Sequence, residues 1–169
     1  MRGILGALWL MGVVACSNDG GTAPPPGGTF KPGIQLAGTI QALQAGTMST
    51  SFNFAHQQLV WVRLNLEQID RVTTVQFKVI SPRGNLMYEA DIPYSADAQV
   101  TTTMLPDIDH PVTVQRAKPA TGGFHLDYPI AIAGSSFTKY PEPGAWQVIA
   151  HVTNTDQTFT APMDVTVVQ

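Results

Sequence analysis

The sequence predicts an all-β domain, an antiparallel β-sandwich of about eight or nine short strands, and three observations predict it. From Ile34 onward apolar side chains recur at period two, the spacing that puts every second residue on the same face of a strand. No segment sustains the 3.6-residue period of an amphipathic helix. Clusters of Pro, Gly, Asn and Asp punctuate the apolar runs at the short intervals expected of hairpins and sandwich turns.

Taken in order, Met48, Thr50, Phe52 and Phe54 alternate first. Val60, Val62, Leu64 and Leu66 then form one face of a strand whose other face carries Leu59, Trp61 and Arg63. Val75, Phe77 and Val79 follow, and Ser81-Pro82-Arg83-Gly84-Asn85 supplies a turn into Leu86 to Ile92, so this region reads as consecutive antiparallel strands. Val100 to Leu105, Val112 to Val114 and Phe124 to Ile132 are further strand candidates separated by Pro- and Gly-containing turns. The last third has the clearest pattern. Trp146, Val148, Ala150 and Val152 alternate after Pro141-Glu142-Pro143-Gly144, and Asn154-Thr155-Asp156 turns the chain into Phe159 to Val168.

The chain before this domain has a different physical character. Met1-Arg2 is a short positive start, and Gly3 to Val14 is an unbroken apolar stretch. It is too short to cross a hydrocarbon core of about 30 Å, which takes about 20 helical residues, so it reads as a cleaved signal. Val13-Val14-Ala15-Cys16 resembles the lipobox of bacterial lipoproteins, with Val where Leu is usual at position 13. That resemblance covers the first 16 residues. It implies residues 1–15 as signal peptide, cleavage after Ala15, diacylglycerol on the Cys16 thiol and often acylation of the new amine. Two or three acyl chains make membrane residence stable, where one gives only marginal binding. Lipoproteins held at the inner membrane of enterobacteria carry aspartate after the cysteine; Ser17 in that place favours the outer membrane where the organism has two membranes.

Residues 16–33 then form the lipidated cysteine and a Gly/Pro-rich tether, SNDGGTAPPPGGTFKPG after Cys16. It lacks the apolar content to offset its ordering entropy and is expected to be a mobile linker that reaches at most about 55 Å. Residues 34–169 are expected to form the single folded domain, large enough to fold without a disulfide or structural metal. Cys16 is the one cysteine in the sequence, which rules out intramolecular disulfides, redox pairs and cysteine zinc clusters.

The formal charge is −3, and loss of Arg2 with the leader makes it more negative. The scattered basic residues form no stripe for a phosphate backbone, which argues against nucleic acid. No glycine-rich phosphate loop leads into a helix, which argues against a nucleotide.

A second resemblance rests on turn chemistry. The run VQFKVISPRGN from Val75 to Asn85, followed by PEPGAWQVIAHV from Pro141, resembles the layout of immunoglobulin-like, fibronectin-like and pre-peptidase C-terminal sandwiches. It covers about Leu59 to Val168. It implies an immunoglobulin-like or jelly-roll-like sandwich with an accessory or binding role, and it carries over no functional residue.

Several residues could carry chemistry. Asp107, Asp109 and His110, with His125 and Asp127 farther on, include pairs two apart that share a strand face and could begin a metal site, calcium if oxygen-rich; the competing expectation is a solvated acidic turn between Pro106 and Pro111. Ser135-Ser136 and four histidines are present, but no Gly-x-Ser-x-Gly turn, and no acidic pair is marked for glycoside hydrolysis. The expectation is therefore a protein that is not an enzyme and holds no cofactor apart from the acyl modification at Cys16. Trp146 shares its face with Val148 and Val152 and belongs in the core. Trp61, opposite the Val60 to Leu66 stripe, would lie on an outer face and mark a contact surface. Tyr88, Tyr94, Tyr128 and Tyr140 are expected near strand ends or loops, where tyrosine rings can anchor a ligand at low entropic cost.

The leading expectation is a lipid-anchored module of the cell envelope, a non-enzymatic binding or scaffold domain for an envelope protein partner. The alternative is a carbohydrate-binding lipoprotein, which requires exposed aromatics beside Asp, Asn or Gln. A metal-dependent or hydrolytic enzyme comes third and requires the Asp and His residues to converge.

Overall fold

A computed structural model describes residues 30–67, 73–94, 100–104, 111–120 and 123–167. Among them the chain forms two five-stranded sheets and two single-turn helices. In order these are β1 (Gly33–Ala37), α1 (Ile40–Gln44), β2 (Ser51–Asn53), β3 (Leu59–Leu66), β4 (Thr73–Ile80) and β5 (Leu86–Tyr94). Then follow β6 (Val100–Met104), β7 (Pro111–Ala120), β8 (Gly123–Ala131), α2 (Ser136–Lys139), β9 (Gly144–Val152) and β10 (Gln157–Thr166). One sheet has the order β1-β3-β8-β7-β6 and the other β2-β10-β9-β4-β5.

The all-β sandwich expected from periodicity is what forms, with two departures. The described residues hold ten strands, because β1 adds a short strand at the edge of the first sheet, where the apolar pattern is only beginning. The other concerns Met48 to Phe54: only Ser51–Asn53 pairs, and it lies parallel to β10, the one parallel pairing among the described strands. Three residues suffice for that edge position because Phe52 and Phe54 sink into the core on either side of Asn53.

The core follows the period-two pattern. On the first sheet Val60, Val62 and Leu64 of β3 stand beside Ile130, Tyr128 and Leu126 of β8 in direct register, and all six are buried. On the second, Val75, Phe77 and Val79 of β4 stand beside Val152, Ala150 and Val148 of β9, likewise buried. The two faces meet where Phe77 stacks on Tyr128 with ring centroids 5.0 Å apart, and the Tyr128 hydroxyl hydrogen-bonds that of Tyr88. Trp146 is fully buried beside Phe54 and Phe137, at 5.7 and 5.5 Å, and satisfies its indole N–H by donating to the Glu142 carbonyl at 2.7 Å.

The ends of the sandwich are defined by register. Gly33 of β1 lies opposite Asn65, which lies opposite His125, so β1 enters at the end where β8 begins. There a side chain on Gly123 would collide with the Leu66 carbonyl and the Phe30 ring, which explains glycine at that hairpin corner. β8 then runs the length of the domain and hands the chain through α2 to the start of β9 at the opposite end.

Candidate functional site

The opposite end is built from two turns that the strand pairing brings together. Ile80, the last residue of β4, lies opposite Gln147 of β9, so the turn leaving β4 and the segment entering β9 are neighbours. The first turn is closed by the Gly84 N–H donating to the Ser81 carbonyl at 2.9 Å and the Ser81 N–H donating to the Asn85 carbonyl at 2.9 Å. Gly84 takes φ +82°, a left-handed conformation open to glycine at little cost. This leaves Pro82 and Arg83 exposed at the tip.

The second segment begins at α2. Ser135 caps it, accepting from the Phe137 N–H at 3.3 Å while its own hydroxyl donates to the Ile132 carbonyl at 2.6 Å. That capping position gives Ser135, one of the Ser135-Ser136 pair noted in the sequence, a structural use for its buried hydroxyl. Phe137 pins the helix into the core, and Pro141 ends it by excluding helical backbone at Tyr140, whose ψ is 66°. Tyr140 is therefore thrown outward and is 67% exposed. The chain then passes Glu142 to Gly144, whose φ of +128° lets it turn into β9 with Pro82 close by.

Between the two segments lies a groove. Pro82 and Arg83 form one wall; Lys139, Tyr140, Pro141 and Pro143 line the other, with Glu142. Asn85 Nδ2 donates to Glu142 Oε1 at 3.4 Å, whereas Glu142 Oε2 is buried with no hydrogen-bond partner among the described residues. Arg83 and Lys139 are exposed, and neither forms an ion pair among the described residues. The groove thus offers an exposed aromatic ring, three prolines, two cations and an unsatisfied acceptor.

Leu86 lies three residues past Arg83 and is 51% exposed. Its exposure has a specific cause. Val79 pairs with Tyr88 but Ile80 pairs with Leu86, so Met87 is an extra residue in β5, a bulge that turns Leu86 from the core face to the outer face. Leu86 and Tyr140 are the exposed large hydrophobic residues among those described.

The residues singled out from sequence are scattered among quite different environments. Tyr140 lines the groove. Tyr88 and Tyr128 need correction: they lie inside β5 and β8, and both are core residues, 4% and 0% exposed, whose hydroxyls share a hydrogen bond. The expectation of strand-end positions failed because a paired hydroxyl makes tyrosine acceptable in an interior. Tyr94 ends β5 opposite Thr73. Trp61 is on the outer face of the first sheet as expected, but half-buried in a row between Ala37 and Pro129.

Asp127 and His125 do share that outer face. The Asp127 carboxylate, 3% exposed at its side chain, is held by Arg63 through two bonds, Nε to Oδ1 and Nη2 to Oδ2, each 2.7 Å. Its two oxygens are thus engaged by a guanidinium. Asp107, Asp109 and His110 lie outside the described residues, as do the leader, Cys16 and most of the tether. Among the described residues no three His, Cys, Asp or Glu side chains gather in an arrangement that could hold a metal ion.

The residues that sequence reading missed are Arg83, Lys139, Glu142 and Leu86. Both turns are legible as turns, but their meeting depends on β4 pairing with β9, across some sixty residues of intervening chain, and no local signal specifies that pairing. Comparison with protein-family models, with curated proteins and with solved structures finds no match, so the functional argument rests on this chain's own residues.

Proposed function

We propose that the chain is an exported lipoprotein, held at the membrane by acyl chains on Cys16, whose sandwich serves as a non-enzymatic binding module for a protein partner in the cell envelope. The leader, the lipobox-like Val13-Val14-Ala15-Cys16 and the Gly/Pro-rich segment after it support the anchor. The observation that supports binding is the end groove: Tyr140, 67% exposed, is set on a turn beside Arg83 and Lys139, cations without an ion-pair partner among the described residues, with Leu86 three residues past Arg83. A large aromatic ring with few rotatable bonds is the kind of side chain that anchors protein interfaces. Water exposes that ring at a hydrophobic cost, which a partner relieves.

Two measurements test this reading. Labelling with a radioactive fatty acid in a bacterial host is expected to mark the wild-type chain and to fail for Cys16→Ala; equal labelling of both removes the anchor. A photo-crosslinking amino acid at position 140 is expected to trap a discrete envelope protein, whereas the same probe at Thr160, exposed on β10, traps none. Identical cross-links from both positions would remove the groove as the binding site.

A further inference from the structure

We infer that the groove recognises an acidic peptide segment in extended conformation, an inference that rests on the groove being the binding site. Charge sets the sign: Arg83 on one wall and Lys139 on the other are both exposed and unpaired among the described residues, so two cations outweigh the Glu142 carboxylate that also lines the groove and favour an anionic side chain lying between them. Arg83 can take a carboxylate through two parallel N–H bonds, and Lys139 contributes a point charge.

Hydrogen bonding narrows the ligand further. Glu142 Oε2 is buried and lacks a donor, and a carboxylate oxygen in that state is costly until one is supplied. Free phosphate would bring its donor hydroxyl on a group that is itself negatively charged, against the Glu142 carboxylate, whereas a peptide brings uncharged main-chain N–H donors together with its acidic side chains. Apolar contacts complete the match. Tyr140 and the prolines offer flat surface, Leu86 extends it outward, and β5, which starts at Leu86, has no neighbouring strand on its outer edge among the described residues. An extended segment that leaves the groove can pair with that edge. A glycan would use the ring and the acceptor but gains nothing from Leu86 or from an open strand edge.

The test titrates the full chain in detergent micelles by calorimetry with three probes. These are an acetylated, amidated octapeptide of alternating Glu and Leu, the matching Lys and Leu peptide, and the tetrasaccharide of N-acetylglucosamine. Binding of the Glu peptide is expected, with no binding of the other two. The Arg83→Glu/Lys139→Glu variant should weaken it at least about tenfold, as expected for loss of paired cations plus like-charge repulsion. Glu142→Gln, which removes the groove's carboxylate charge and keeps a side-chain acceptor, should bind the Glu peptide at least as tightly. Thermal melts of both variants check that the fold is intact, and the exposed positions of Arg83 and Lys139 make that the expected result.

Equal binding of both peptides, indifference to charge reversal, or binding of the tetrasaccharide alone would overturn the inference. The in-cell cross-link from position 140 separates it from the broader reading. A cross-link that survives charge reversal keeps the protein partner and removes the acidic peptide. Peptide binding without a cross-link keeps the peptide chemistry and removes the envelope partner.

Discussion

Arg63 and Asp127 show how strongly a single pair can be committed to structure. Each sits on the outer face of its strand, directly opposite the other, and the carboxylate is nearly inaccessible. Desolvating both ions is costly, and removing one partner strands the other, which typically costs about 3–5 kcal/mol. Asp127→Ala is therefore expected to lower the unfolding free energy by an amount in that range, read by urea unfolding. The double replacement Arg63→Met/Asp127→Leu should recover most of it, since a well-packed apolar pair can match a buried ion pair. A mild Asp127→Ala with no recovery in the double variant would mean that the pair is solvent-screened.

Tyr128 makes a prediction in pH. Burial pushes its phenol up from 10.0 to about 12, and the hydrogen bond with Tyr88 offsets part of that rise. The unfolded phenol ionises near its ordinary value, so the stabilising difference is complete below pH 10 and is lost as pH rises through about 12. The loss amounts to roughly 2–3 kcal/mol at a cost of about 1.4 kcal/mol per pH unit. Urea unfolding measured across this alkaline range should show that decline, and Tyr128→Phe should flatten it. An unchanged slope in the variant would assign the alkaline loss to other groups.

Elements rather than single residues decide what the surface presents. The bulge at Met87 changes the parity of β5, so the same strand that buries Tyr88 and Ile92 exposes Leu86. Alternation read from Leu86 to Ile92 places Leu86 with Tyr88 on one face; a one-residue insertion in the ladder is invisible to that pattern until the partner strand is known. Deleting Met87 should regularise the ladder and leave Leu86 opposite Ile80 on the outer face, because the residue directly before core-facing Tyr88 points away from the core. Unchanged protease sensitivity at the β4–β5 turn would report that retained register, and loss of the position-140 cross-link in such a variant would show that the bulge itself shapes the groove. The Gly123 corner is constrained in the opposite sense. Gly123→Ala forces a side chain against the Leu66 backbone and Phe30, and overpacking of this kind costs about 1–3 kcal/mol. A variant as stable as the wild type would show that the β7–β8 corner can yield.

At the scale of the molecule, what the sequence announces is a matter of range. The strands of β3, β4 and β9 are legible because one buried and one solvated face impose period two on Val60 to Leu66, Val75 to Val79 and Trp146 to Val152. The turn at Ser81 to Asn85 is legible because proline and a left-handed glycine state their geometry locally. The parallel pairing of β2 with β10 and the meeting of two turns in one groove are not, because each joins residues far apart in the chain. Of the aromatic candidates, Tyr140 lines the groove, while Tyr88 and Tyr128 fill the core; single-residue type does not separate those fates.

The register that seats Gly33 opposite Asn65 and leads β8 away toward α2 also fixes a polarity. The chain enters the folded domain at one pole, and the groove opens at the other, about one strand length or ~27 Å farther on. β10 finishes at the groove pole, since Val165 lies opposite Gly144. Anything fused after the last strand therefore crowds the groove, whereas a fusion ahead of Phe30 leaves it open. A domain tethered to a surface through its first strand holds its groove outward, like a hand at the end of an arm.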